Sequence, residues 1–152
     1  MFIKIFCCGK FMSIKRCIEI CESISAEDLE GFSDTDQLDE LYAISHNTNT
    51  PLKTLEKLSA DSWHYGILYN VATHQNVSIE LLDKFSHLDS PSLMCAVAAN
   101  HKSTTEILNT VFQKSQTINF IDLVYLNFQQ SLLHNPNTSD EVKMLIILEK
   151  NG

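Results

Sequence analysis

Asn100-His-Lys-Ser-Thr-Thr-Glu-Ile-Leu108 reads as a turn followed by a helix start, and the chain repeats the phrase four times. The other copies are Asn47-Thr-Asn-Thr-Pro-Leu-Lys-Thr-Leu55, His74-Gln-Asn-Val-Ser-Ile-Glu-Leu-Leu82 and Asn135-Pro-Asn-Thr-Ser-Asp-Glu-Val-Lys143. Their starts fall 27, 26 and 35 residues apart, a period near 26 with one insertion before the last copy. Self-similarity at this period marks stacked supersecondary units rather than a single irregular core.

Each phrase carries its own helix signals. Thr50 is placed as an N-cap with Pro51 at the first helical position, where its missing N–H costs nothing. Ser103 with Glu106, and Thr138 with Glu141, form capping boxes in the last two copies. In the second copy Ser78 occupies the slot of Pro51, which leaves that cap the least defined. The upstream Asn residues suit tight turns, because Asn tolerates left-handed backbone and bonds locally.

Behind the caps run apolar stripes at helical spacing: Leu52, Leu55, Leu58; Ile79, Leu82, Phe85; Ile107, Leu108, Val111; Val142, Leu145, Leu148. Ahead of them lie further apolar segments, Ile67–Ala72 and Leu93–Ala99, the latter opened by Ser90 and Pro91. Ala96, Ala98 and Ala99 allow close helix approach. The unit is a helix, a turn and a helix, which must stack on neighbours to bury its apolar face. The expected fold is all-α, a right-handed α-solenoid of about four two-helix repeats with an N-terminal helical cap. Residues 1–40 are expected to form that cap with an acidic segment, and 41–152 the repeats, as one folded unit.

The run Leu93–Leu108, with His46-Asn-Thr-Asn-Thr-Pro51 and His134-Asn-Pro-Asn-Thr-Ser139, resembles the bacterial leucine-rich repeat variant, related in packing to HEAT repeats. The resemblance covers residues 41–150. It implies a stack of alternating helices serving as a scaffold or binding surface, with no shared catalytic residues. The chain departs from the pattern at Gln113–Phe120, which lengthens the third unit, and at the final helix, which reads as a terminal cap.

At 152 residues the chain is long enough for one well-formed core. No apolar run approaches the ~18 residues needed to span a bilayer. The start, Met1-Phe-Ile-Lys-Ile-Phe-Cys-Cys-Gly, is too short in apolar length for a signal peptide, so the cytoplasm is the expected compartment. Met12 is a second candidate start, which would remove Cys7 and Cys8. Five cysteines, an odd number, fit a reducing environment better than a disulfide framework.

Charge is uneven. Residues 1–16 hold four bases and no acid, whereas 17–52 hold nine acids and no base. Several of those acids fall at expected helix starts, where the macrodipole favours them. The same block also offers an acidic surface complementary to a basic partner.

Other chemistry is thin. Cys17 and Cys21 stand four apart with Cys7 and Cys8 nearby, and thiolates bind zinc or iron–sulfur clusters. Their spacing matches neither paired CxxC motifs nor the ferredoxin run, and the resemblance adds that some members of the repeat family carry an N-terminal iron–sulfur segment. Buried thiols are the simpler reading, for Cys95 above all. His46, His74, His101 and His134 fall in or beside the repeated turn. They read as a metal-binding or pH-sensing edge, or more simply as turn chemistry imposed by the repeat. Trp63, His64 and Tyr65 form an aromatic cluster suited to an interface or to packing between helices. No phosphate-binding Gly loop, GxSxG or HExxH occurs, so no enzyme is expected.

The net charge of −8, with Lys53, Lys57, Lys84, Lys102 and Lys114 isolated, argues against nucleic-acid binding. The expected function is a non-catalytic protein-interaction module, an acidic adaptor or inhibitor of bacterial or phage type, needing no cofactor. Its partner is a protein with a basic surface. Its candidate binding residues are Asp34, Asp36, Asp39, Glu40, Trp63 and Tyr65. The alternatives are an inhibitor that mimics nucleic-acid charge, and a metal protein using Cys7, Cys8, Cys17 and Cys21.

Overall fold

The computed structural model describes residue 20 and residues 25–61, 64–118 and 120–149. Among the described residues nine helices follow one another, with no strand. The chain divides into two compact units, 1–76 and 77–152. The first contains α1 (Ala26–Phe32), α2 (Leu38–His46), α3 (Leu52–Asp61) and α4 (Tyr65–Thr73). The second contains α5 (Ile79–Ser86), α6 (Pro91–Ala99), α7 (Thr105–Ser115), α8 (Asp122–His134) and α9 (Asp140–Glu149).

All four phrases fold as the same turn, but in the first, third and fourth the cap sits one residue later than expected, while in the second it is Ser78, the residue the sequence offers. Thr54 and Leu55 return their N–H groups to the Pro51 carbonyl, which makes Pro51 the N-cap. Ser78, Thr104 and Ser139 accept from Leu81, Ile107 and Val142 at 3.3–3.4 Å. The residue before each cap is buried instead, and its hydroxyl has other work. Thr50 and Ser103 donate to the Ile44 and Val97 carbonyls, both at 2.6 Å, within the helix that precedes the turn. Val77 fills the same slot without a hydroxyl, and the Thr138 hydroxyl has no hydrogen-bond partner there.

Asn opens the turn through hydrogen bonds rather than left-handed backbone. Asn47, Asn100 and Asn135 are C-caps in extended conformation, with φ of −72°, −76° and −72°. Each accepts the N–H of the residue two on, at 2.9–3.0 Å. The side-chain amide then reaches an earlier part of the chain. Asn47 donates to the Ile20 carbonyl, and Asn135 donates to the carbonyls of Ala98 and Asn100, both at 2.9 Å. Carbonyls at a helix C-terminus lack intrahelical partners, and the following turn supplies them.

A second rung lies two residues on. Asn76 donates to the Thr50 carbonyl (2.9 Å) and Asn137 to the Ser103 carbonyl (3.0 Å). Lys102, in the same position, reaches the equivalent Val77 carbonyl (3.0 Å). Turn is thus tied to turn at about the repeat spacing, inside each unit.

Ser25 caps α1 and precedes Pro51 by 26 residues, so α1 keeps the register of the later capped helices. Ser33, Ser59 and Ser86, each eight residues past a cap, donate to the carbonyl three residues back at 2.6–2.7 Å. The apolar faces follow from this register. Leu29, Leu55, Leu82 and Leu108 stand four residues past their caps and are fully buried. Each is worth about 1.5–3 kcal/mol relative to exposure.

Three expected stripes are corrected. Leu52 and Ile79 open their helices in solvent, and in α9 Val142 and Ile146 face inward while Leu145 and Leu148 are exposed. Val142 and Ile146 stand three and seven residues past the cap Ser139, as Leu81 and Phe85 do past Ser78, and this register decides which side of α9 is covered. The lengthened connection before α8 seats Phe120 against Tyr125 and Phe128, with ring centroids 5.3 and 5.5 Å away. Tyr125 and Gln129 both donate to one Glu149 carboxylate oxygen at 3.0 Å, fastening the end of α9 to α8.

Candidate functional site

Among the described residues of the first unit, the outward faces of α2 and α4 carry the largest aromatic exposure. Leu38 and Tyr42 lie four apart on α2, and Tyr65 and Tyr69 four apart on α4. Spacing of four keeps each pair on one side of its helix. Their exposures are 41%, 50%, 55% and 41%, although the two helices pack together. Gly66 allows the close approach: a Cβ there would lie 3.4 Å from the Tyr42 ring. Of these four, only Tyr65 is evident in the sequence as a candidate. Trp63 lies outside the described residues.

The acidic block is partly neutralised by its own unit. α3 begins where the base-free run ends, and packs against α1. Lys53 pairs with Glu30, and Lys57 pairs with Asp34 while donating to the Ser33 hydroxyl at 3.2 Å. The Lys57 ammonium, by hydrogen bond and then by charge, holds the Asp34 carboxyl below its ordinary range. Glu30 raises Lys53 in the same way. A groove of about 260 Å³ runs over these pairs, lined by Glu30, Ser33, Asp34, Lys53, Thr54 and Lys57.

Asp36 is exposed and accepts the Gln37 side-chain amide. Asp39 and Glu40 stand in the first turn of α2, where the helix dipole favours them. The structure therefore brings Asp39, Glu40 and the tyrosines onto neighbouring helices and commits Asp34 to Lys57.

The four turn histidines do not share one position in the turn. His74 is 6% exposed and replaces Asn as the C-cap, whereas His46 and His134 end their helices in solvent and His101 lies within the turn. The His74 Nε2–H donates to the Asn47 carbonyl at 2.8 Å, and Nδ1 accepts the Asn76 N–H at 3.0 Å. His134 donates from Nδ1 to the Gln130 carbonyl at 2.7 Å.

Two related grooves flank these turns. One, of about 290 Å³, includes His46, Thr73 and His74, and the other, of about 450 Å³, includes Ala99, His134 and Asn135. Ala99 stands where His46 stands in the first, which opens the second.

Cys95 is half-buried on α6 and its thiol donates to the Val124 carbonyl of α8 at 3.7 Å. Burial pushes that thiol up to about 11. Cys7, Cys8, Cys17 and Cys21 lie outside the described residues. Among the described residues no three of His, Cys, Asp or Glu group as a metal site. No described helix is long and apolar enough to cross a membrane.

The chain matches no family model, no curated protein and no solved structure. The candidate site therefore stands on geometry alone. Leu38, Tyr42 and Tyr69 escape a motif search because an apolar residue on a helix reads as core until the buried side of the helix is known. The spacing of four, read against the true caps, is the signal that would have found them.

Proposed function

We propose that the chain is a non-catalytic protein-interaction module, a right-handed α-solenoid of two-helix repeats similar to the leucine-rich repeat variant. It binds a protein partner through the outward face of α2 and α4. The turn-to-turn hydrogen bonds within each unit support the stacking. The observation that carries the binding role is the exposed set Leu38, Tyr42, Tyr65 and Tyr69. Tyrosine supplies large rigid contact area with a polar tip, and dominates interface hot spots. Asp36, Asp39 and Glu40 lie at the start of α2 and favour a partner with a basic surface.

The test is capture from a nuclease-treated native lysate, comparing the full chain with Y42A/Y69A and with D36N/D39N/E40Q. The expected result is one stoichiometric protein that elutes as salt rises. Y42A/Y69A should bind it at least about tenfold more weakly. Undiminished capture by Y42A/Y69A would remove the tyrosine face from the reading. Capture indifferent to salt and to D36N/D39N/E40Q would remove its basic partner.

A further inference from the structure

We propose that the outer edge of the α8–α9 pair is a dimerisation surface, on which a second copy of this chain docks the same edge about a twofold axis. Contacts inside each unit show which edge of a helix meets the following pair. Glu30 and Asp34, five and nine residues past the cap Ser25, meet Lys53 and Lys57 of α3. Asn109, five past Thr104, accepts the Ser139 hydroxyl at 3.4 Å. On the other helix of each pair this edge runs through the residue five before the C-cap. Tyr42 lies there against Gly66 of α4, and Cys95 reaches the Val124 carbonyl of α8.

In α8 and α9 the same edge is apolar and uncovered. Met144 and Leu148 stand five and nine residues past Ser139. On α8, Gln130 takes the place of Tyr42 and Cys95, and Leu126 and Leu123 continue its row four and seven residues back. These four apolar residues are between 46% and 67% exposed. The repeat does not impose this, since the position of Met144 holds Glu30, Glu56, Asp83 and Asn109 behind the earlier caps. A helical array that meets water does so on a polar face, so an apolar one is covered.

Two observations select a second copy as the cover. A further repeat stacked in register would enclose the position four past the cap, which is a fully buried leucine in α1, α3, α5 and α7 but the partly exposed Lys143 in α9. Enclosing an ammonium there is costly. A twofold contact is not bound to that register, and sets the apolar edge against itself. The four side chains alone expose on the order of 400 Å² per copy, about half of the ~800 Å² that each partner gives to a standard interface, with a polar rim supplying the rest. The inference stands apart from the tyrosine face of the first unit.

Sedimentation equilibrium of the purified full chain between about 1 and 100 μM tests it. The expected result is a reversible rise from the mass of one chain to that of two, and no further. Met144→Glu and Leu123→Glu, one on each helix, should each weaken the dimer at least about hundredfold and leave the melting midpoint of the monomer in place. Leu145→Glu should not weaken it, because Leu145 is exposed six past the cap, where Lys57 turns back towards Asp34. A monomer throughout, a dimer indifferent to both edge variants, or one lost equally with Leu145→Glu would overturn the proposal. So would growth beyond two copies, the mark of head-to-tail stacking.

If the edge variants fail to fold, the wild type gives a second reading. The methyl NMR signal of Met144 should shift with chain concentration as the dimer forms, while that of the buried Met94 stays in place. A mass that doubles with the Met144 signal unmoved would put the contact elsewhere and refute this edge.

Discussion

Replacing Asn135 by Asp changes one amide nitrogen to oxygen and should unfold the second unit far more easily. Asn135 is 4% exposed, and its Nδ2 donates to two carbonyls, those of Ala98 and Asn100. In Asn135→Asp both carbonyls lose their donor and face a carboxylate. Each buried group left unpaired costs about 1–3 kcal/mol, and the buried charge adds to it. A loss of about 4 kcal/mol or more at pH 7 is expected, against a total stability of order 5–15 kcal/mol. Asn135→Ala, which adds no charge, should lose about 3 kcal/mol.

The aspartate variant has a further signature. Protonation returns one donor, so its deficit should shrink as pH falls below about 5 and grow as pH rises, while that of the alanine variant stays constant. Denaturant unfolding followed by far-UV circular dichroism measures both, with the slope on denaturant unchanged. An Asn135→Asp loss under about 1 kcal/mol at pH 7 would refute the role given to the turn amide.

Thr138→Val should stabilise the fold by about 0.5–2 kcal/mol, since it removes a buried unpartnered hydroxyl and Val77 already fills the equivalent slot; a thermal melt of the single variant decides it. The Cys95 thiol should resist alkylation at pH 8 in the folded chain and react on unfolding. Its raised value means stability is complete below about pH 9 and declines as pH rises towards about 11, and alkylation at the rate of a model thiol would contradict this. Lys57→Met should return the Asp34 carboxyl towards the ordinary carboxylate range in an NMR titration and scarcely move the melting midpoint, because the pair is exposed.

The repeat was legible because every copy must make the same turn, and the Asn residues that make it cannot be exchanged freely. The all-helical class followed from that spacing. The caps were displaced because two neighbouring positions both hold Ser or Thr in the later copies. The buried position of each pair is not the cap, whether it donates back to the preceding helix as Ser103 does or not, as at Thr138, and sequence does not say which position is buried. Once the cap is fixed at Thr104 rather than Ser103, the exposure of Leu145 and Leu148 follows from the equivalent cap at Ser139. The helix start at Ser25 was legible from Glu27 and Asp28 behind it, but its place in the repeat register was not, because the phrase before it, Cys21–Ile24, holds no Asn.

The candidate site was less legible. Nine acids within residues 17–52 and no base suggested a bare charged surface, yet the neutralising Lys53 and Lys57 lie just past the end of that run, on a helix packed against it. Contact across helices is not visible in a one-dimensional count of charge. His74 could not be told from His46, His101 and His134 by type. Only its alignment with the Asn that opens each phrase separates it.

The proposed continuous stack is tested most directly by whether the second unit's turn amide controls the first unit's unfolding. Trp63 is the single tryptophan and belongs to the first unit, whereas Asn135 belongs to the second. Denaturant unfolding of wild type and Asn135→Asp should be followed by Trp63 fluorescence and circular dichroism together. One stack predicts a single transition in both signals, with the Trp63 midpoint falling as far as the dichroism midpoint in the variant. A Trp63 transition that stays at the wild-type midpoint while the dichroism splits would contradict it.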